Sequence, residues 1–296
     1  MTLRGGGDAA PPAATARRLT ALLVLVSLLG AADAASASPG ARAAVSPAGF
    51  AETARPAPLA RPSQAPDAPA ATPPADPPPA GQPTTGAPVP LSGVGGVSRW
   101  SFVIRRVVVR AEPRIEAAPV MRLKTLTPER TQNLVLALER QLVGGRQWVR
   151  VRLPTLPNNS TGWVPREALG GYEKVRTRLF VDTRRLRARL ERGGRTILRV
   201  RVGVGRDRWP TPRGEFYIRN ELRGFDSPVY GPVAFGTSAR SAVLTDWPGG
   251  GFVGIHGTNR PNLLPGRVSH GCIRMRNRDI LRLARLMPVG TPLTIT

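Results

Sequence analysis

The stretch "TRLFVDTRRLRARLERGGRTILRVRVGVG", residues 177–205, decides the fold class. Leu186, Ala188 and Leu190 recur at every second position, as do Leu198, Val200 and Val202, and arginines fill most of the places between them. A period of two belongs to a strand with one face in a core and the other in water, and Gly193-Gly194 supplies the tight turn of a hairpin. Downstream, "RWPTPRGEFYI" (208–218) reads as a rigid proline-glycine loop feeding a strand at Glu215 to Ile218. Asn277 is placed to cap a helix whose apolar positions Ile280, Leu283, Ala284 and Met287 follow helical spacing, and "GTPLTIT" (290–296) reads as a closing strand. The expectation is a mainly β protein with one short helix.

Upstream the chain changes character several times. Arg4, Arg17 and Arg18 precede the apolar run "LTALLVLVSLLGAA" and the small-residue patterns Ala32-Asp33-Ala34 and Ala35-Ser36-Ala37, which is the layout of a secretory signal peptide over residues 1–37. The expected location is extracytoplasmic and wall-associated, with membrane contact only through an uncleaved signal segment. Residues 38–97 are rich in Pro, Ala, Gly, Ser and Thr, too poor in large apolar groups to offset chain entropy, and read as a disordered tether. Residues 98–173 hold short strand-like runs: "FVIRRVVVRAEP", "LVLALERQL", "RQWVRVRLP" and "TGWVPREAL". The second of these reads equally as a helix. In Arg110 to Pro113, Trp148 to Val151 and Gly162 to Val164 the region resembles a bacterial SH3-like domain. That resemblance implies a small β-barrel of the kind used to bind wall peptides.

The net charge of +24 is carried almost wholly by arginine and calls for an anionic counterpart. Export leaves anionic wall polymers or lipid headgroups as partners and removes nucleic acid. A single cysteine excludes an intramolecular disulfide framework and any cysteine-cluster zinc site.

That cysteine, Cys272, and both histidines of the chain, His256 and His270, fall within "HGTNRPNLLPGRVSHGCIRM" (256–275). A thiol attacks a carbonyl only as its thiolate, so a nucleophilic cysteine needs an imidazole to take its proton and electropositive surroundings, here Arg260, Arg267 and Arg274. Gly271 leaves the backbone uncluttered, so that the amides of Gly271 and Cys272 can point at one oxyanion.

The same stretch resembles the signature of the YkuD-type L,D-transpeptidase catalytic domain, a histidine followed by Ser-His-Gly-Cys, with "PTPRGEF", the helix and the terminal strand in support. The resemblance implies a β-rich catalytic domain over residues 174–296, with one short helix after the nucleophile and no metal or organic cofactor. It makes Cys272 the nucleophile, His256 or His270 the base, and a backbone carbonyl such as that of Gly257 the group that orients the ring. Gly271 then belongs to the oxyanion hole, and Ser269, Arg274 and Tyr230 face the substrate. The implied reaction is acyl transfer between peptidoglycan stem peptides, through a thioester formed with loss of D-alanine. An L,D-carboxypeptidase using the same thioester and a non-catalytic wall-binding protein are the alternatives. A papain-like protease has its cysteine and histidine in the opposite order.

Overall fold

The computed structural model describes residues 85–224, 227–245 and 250–296. The expected signal peptide and the greater part of the expected tether lie outside the described residues. The described chain is mainly β, with a single α-helix among the described residues.

The first sheet contains β1 (Val89–Pro90), β2 (Ser98–Phe102), β3 (Val107–Arg110), β4 (Pro119–Leu123), β5 (Leu134–Val143), β6 (Arg146–Arg152), β7 (Thr161–Pro165) and β8 (Glu173–Val175). Its path runs β4-β3-β7-β6-β5-β2-β8, with β1 paired to β5. β1 and the buried Leu91 precede residue 98, where strand-like patterning becomes visible, because a two-residue strand is too short to show a period.

"LVLALERQL" is strand β5, and the structure explains its helix-like look. Val135 and Ala137 point into the sheet's own core with Val109, Val149, Val151 and Val164. Leu134 and Leu136 point the other way, into a cluster with Trp100, Val175 and Tyr217. A strand covered on both faces loses its alternation and reads as an unbroken apolar run.

The second sheet contains β9 (Thr177–Asp182), β10 (Arg187–Arg192), β11 (Arg195–Arg201), β12 (Gly203–Gly205), β13 (Gly214–Arg223), β14 (Val233–Arg240), β15 (Phe252–His256), β16 (Gly266–Ser269), β17 (Ile273–Arg274) and β18 (Pro292–Ile295). The strand order is β11-β10-β9-β18-β13-β14-β15-β17-β12-β16. The hairpin of β10 and β11 turns at Gly193-Gly194, as the alternation predicts, and the expected terminal strand is β18, which pairs with β9 and β13. Helix α1 (Asn277–Leu286) lays Ile280 and Leu283 into the core formed by Val204, Phe235, Ile255 and Ile273. Its cap differs from the expectation. Arg276 occupies the N-cap position without a side-chain hydrogen bond, and Asn277 instead accepts from the Thr258 amide at 2.9 Å, a donor brought in by the loop after β15.

Only Arg176 separates β8 of the first sheet from β9 of the second, and the two sheets are joined by more than chain. The Tyr217 hydroxyl donates to the Leu134 carbonyl at 3.2 Å. Glu129 accepts from the buried Arg219 guanidinium at 2.8 Å. Asn158 exchanges two hydrogen bonds with the Arg240 backbone, at 2.7 and 2.9 Å. Trp100 sits against Gly290 so closely that a β-carbon there would lie 2.0 Å from the indole Cδ1. Gly290→Ala must displace a tryptophan that is 8% exposed. The expected cost is about 1–3 kcal/mol of unfolding free energy, read as a lower urea midpoint at unchanged slope. An unshifted midpoint would show that the contact between the sheets yields freely.

Candidate active site

The site is built on a two-strand parallel pairing. Ile255 of β15 stands opposite Ile273 of β17, and His256 opposite Arg274. Both isoleucines are fully buried in the core. Strand residues one place on either side point to the opposite face, so His256, Arg274 and Cys272 share the face turned away from that core. The Gly254 amide, one step before Ile255, donates to the Cys272 sulfur at 3.4 Å.

Cys272 is held by a turn braced by two buried hydroxyls. The Ser269 hydroxyl donates to the Cys272 carbonyl at 2.6 Å and accepts from the Gly271 amide at 3.1 Å. The Thr211 hydroxyl donates to the Gly271 carbonyl at 2.8 Å and accepts from the Gly205 amide at 2.8 Å. Gly271 has φ of +114°, a conformation that L side chains rarely adopt, and this brings Cys272 out of the turn toward the cavity. The Gly271 amide, one of the two expected to face an oxyanion, donates to the Ser269 hydroxyl in this structure. Ser269 itself, buried at 1%, lines the cavity while its hydroxyl braces the backbone.

His256 is 3% exposed, and its Nδ1–H donates to the Gly257 carbonyl at 2.6 Å. This bond fixes the tautomer and leaves the Nε2 lone pair as a proton acceptor. Burial, helped by the nearby Arg274 charge and opposed by the Gly257 bond, pushes its pKa down to about 4. The Tyr230 ring meets it edge-on, with centroids 5.1 Å apart. His270 occupies a different setting. It is exposed and lies against Trp209 at a centroid distance of 4.0 Å, and its pKa is lowered by desolvation and by Arg206, Arg274 and Arg208. Removal from water pushes the Cys272 thiol up, only partly countered by the Gly254 amide and the Arg274 charge. At neutral pH thiol and imidazole therefore both rest uncharged.

These groups open on one cavity of about 260 Å³, whose lining includes His256, His270, Cys272, Arg274, Tyr230 and Phe252. The half-buried Arg274 has its Nε enclosed without a hydrogen-bond partner among the described residues. Of the residues singled out in the sequence, Cys272, His256, His270, Ser269, Arg274 and Tyr230 line this cavity and Gly257 reaches it through its carbonyl, whereas Arg260 and Arg267 do not line it and Arg267 faces Asp207 at 3.7 Å. Sequence reasoning missed Gly254, Thr211, Trp209 and the second task of Asn277, whose amide oxygen packs beside Gly231 and Gly257. Thr211 and Trp209 lie within the "RWPTPRG" loop, which was legible as rigid but not as a brace for the turn. Among the described residues no group of three or more His, Cys, Asp or Glu side chains is placed to hold a metal ion.

Burial of neutral His256 has a measurable consequence for stability. In the unfolded chain the imidazole binds a proton as pH drops below about 6.5, whereas the folded chain resists until about 4. The resulting penalty is absent above the unfolded value, grows through that window and levels at about 3 kcal/mol. Denaturant unfolding of wild type and His256→Gln at pH 7 and pH 4 should show the wild type losing about 3 kcal/mol more than the variant. Equal losses would mean that the imidazole is not held neutral.

Residues 176–295 match the family model of YkuD, the L,D-transpeptidase catalytic domain. The putative L,D-transpeptidase YkuD of Bacillus licheniformis is 39% identical over 108 residues, covering 36% of this chain and 58% of that protein. The protein of the same name from Bacillus subtilis is 40% identical over 94 residues, covering 32% of this chain and 50% of that protein. The chain thus spans about half the length of these curated relatives. Among solved structures, the catalytic domain of the Enterococcus faecium L,D-transpeptidase is 25% identical, with 40% of this chain and 96% of that chain covered at a TM-score of 0.31. The segment that carries Cys272 and both histidines is, in sequence, similar to the YkuD-type L,D-transpeptidase catalytic domain.

Proposed function

We propose that the protein is a peptidoglycan L,D-transpeptidase that works through a thioester on Cys272, with His256 as the base. One observation carries the reading. Cys272 and His256 lie on the same face of two paired strands and line one cavity, with the imidazole locked by Gly257 as the tautomer whose free nitrogen accepts a proton.

Because both groups rest neutral, the proton leaves the thiol only as sulfur attacks. Sulfur adds to the carbonyl at the L-centre of the third residue of a tetrapeptide stem while His256 Nε2 takes the thiol proton. The oxyanion is met by the Cys272 amide. Collapse breaks the amide bond, the leaving D-alanine amine takes the proton from His256, and the thioester remains. An amine of a second stem, deprotonated by the same imidazole, then displaces sulfur and gives a 3-3 cross-link; water in its place would give an L,D-carboxypeptidase. Arg274, whose Nε has no partner among the described residues, binds a substrate carboxylate in this scheme, and Tyr230 borders the acyl chain. The exposed His270, tilted against Trp209, lines the cavity rather than taking the proton. Residues 98–173 take the role of an SH3-like wall-binding domain, and the chain acts outside the cytoplasmic membrane.

Intact-mass spectrometry of wild type and Cys272→Ala with a tetrapeptide muropeptide, and separately with a carbapenem, tests this directly. An adduct on wild type alone, with D-alanine released from the muropeptide, is the expected result, and the product mass names the acceptor. A folded wild type inert to both compounds would leave a non-catalytic wall-binding protein as the better account.

The pH dependence of kcat/KM separates the two histidines. The acid limb should fall with a midpoint near 4, the value for His256, with activity retained above it and lost as the imidazole protonates below it. His270→Ala should leave that midpoint in place. A midpoint near the ordinary imidazole value that disappears in His270→Ala would transfer the role of base.

A further inference from the structure

A second concavity, of about 380 Å³, opens on the outer face of β9, β10 and β11 and shares no residue with the cavity at Cys272. Five arginines and one carboxylate line it. The strand register makes this arrangement unusual. Arg187 stands directly opposite Arg201, and Arg189 directly opposite Arg199. Like charges directly opposite across a strand pair repel, and a fold ordinarily interleaves carboxylates among them.

The carboxylates near this face are already engaged at its rim. Asp182 pairs with Arg185 at 3.2 Å, Glu191 with Arg189 at 2.8 Å, and Glu215 with Arg178 at 2.7 Å. Arg189 is also stacked over Phe180, its guanidinium carbon 3.9 Å from the ring centroid. Arg187, Arg199 and Arg201 have no side-chain hydrogen bond or ion pair with any described residue. Three uncompensated guanidinium groups therefore face a hollow with an aromatic ring in its lining.

We propose that the outer face of β9, β10 and β11 is a binding site for a linear, phosphate-bearing polyanion. The proposal is independent of the chemistry assigned to Cys272. Two arginine pairs stand in successive same-face rows, roughly 7 Å apart along the strands and roughly 5 Å apart across them. A chain with an anionic group on each repeating unit meets both rows at once, and the guanidinium fork matches phosphate oxygens two at a time. A membrane surface fits less well. The face is concave, and none of the large apolar side chains exposed on the protein falls within residues 177–201.

The test uses the full-length chain and linear inorganic polyphosphate as the probe. Wild type should bind it with an affinity that falls steeply with salt. Arg187→Gln/Arg199→Gln/Arg201→Gln should weaken binding by about tenfold or more and reduce the salt slope by about two. Arg122→Gln/Arg282→Gln/Arg285→Gln removes the same charge from exposed arginines elsewhere and should bind nearly as wild type does. The first triple should melt no lower than wild type at low salt without polyanion, because cross-strand repulsion has been removed. Polyphosphate should also protect Arg199 and Arg201 of the unaltered protein from phenylglyoxal, as mapped by peptide mass, a readout that needs no variant. Equal weakening in both triples, protection confined to other arginines, or loss of binding to phosphatidylglycerol vesicles with polyphosphate binding intact would each overturn the proposal.

Discussion

The site depends on the one-residue register between β15 and β17. Because side chains alternate along a strand, pairing Ile255 with Ile273 sends two isoleucines into the core and turns His256, Cys272 and Arg274 toward the cavity together. A slip by one residue on β17 would bury the thiol and expose an isoleucine. Several features oppose that slip. The Met275 amide bonds the His256 carbonyl at 2.9 Å, Met275 and both isoleucines are buried, and the Ser269 turn fixes where β17 can begin. Apolar burial sets the register, and the register sets the chemistry.

The electrostatics follow from that placement. A sulfur and an imidazole withdrawn from water both favour their neutral forms, and a single guanidinium favours the thiolate while disfavouring imidazolium. The resting site thus holds a neutral thiol and a neutral imidazole rather than an ion pair. Such a thiol is sluggish toward casual electrophiles, in keeping with the proposed attack on a carbonyl positioned above it.

Much of this was legible in the sequence because one-faced strands and reactive side chains leave local signatures. The alternation around Gly193-Gly194, the closing strand and the cluster of Cys272 with two histidines are of that kind. What stayed hidden depends on tertiary partners. The identity of β5 as a strand was masked because Tyr217, far along the chain, covers its second face. Asn277 looked like a helix cap because such residues usually serve their own helix, but the loop after His256 offered a nearer donor. The two histidines could not be ranked by their distance from Cys272 along the chain, since strand pairing brings His256 to the cysteine's face while His270 stacks outward on Trp209. The bond from the Gly271 amide to Ser269, two residues earlier, likewise left no local signature in the sequence.

The contact between the sheets carries a consequence for how such a chain could arise. Residues 176–295 match a family model by themselves, yet here the face of β13 that holds Tyr217 is closed by Leu134, and the buried guanidinium of Arg219 finds its carboxylate on Glu129. The segment 176–295 transplanted without the preceding sheet would expose Tyr217 and leave Arg219 without its carboxylate. Each sheet therefore limits the substitutions open to the other. Replacing either sheet at the junction would demand simultaneous repair of Tyr217, Arg219 and Gly290.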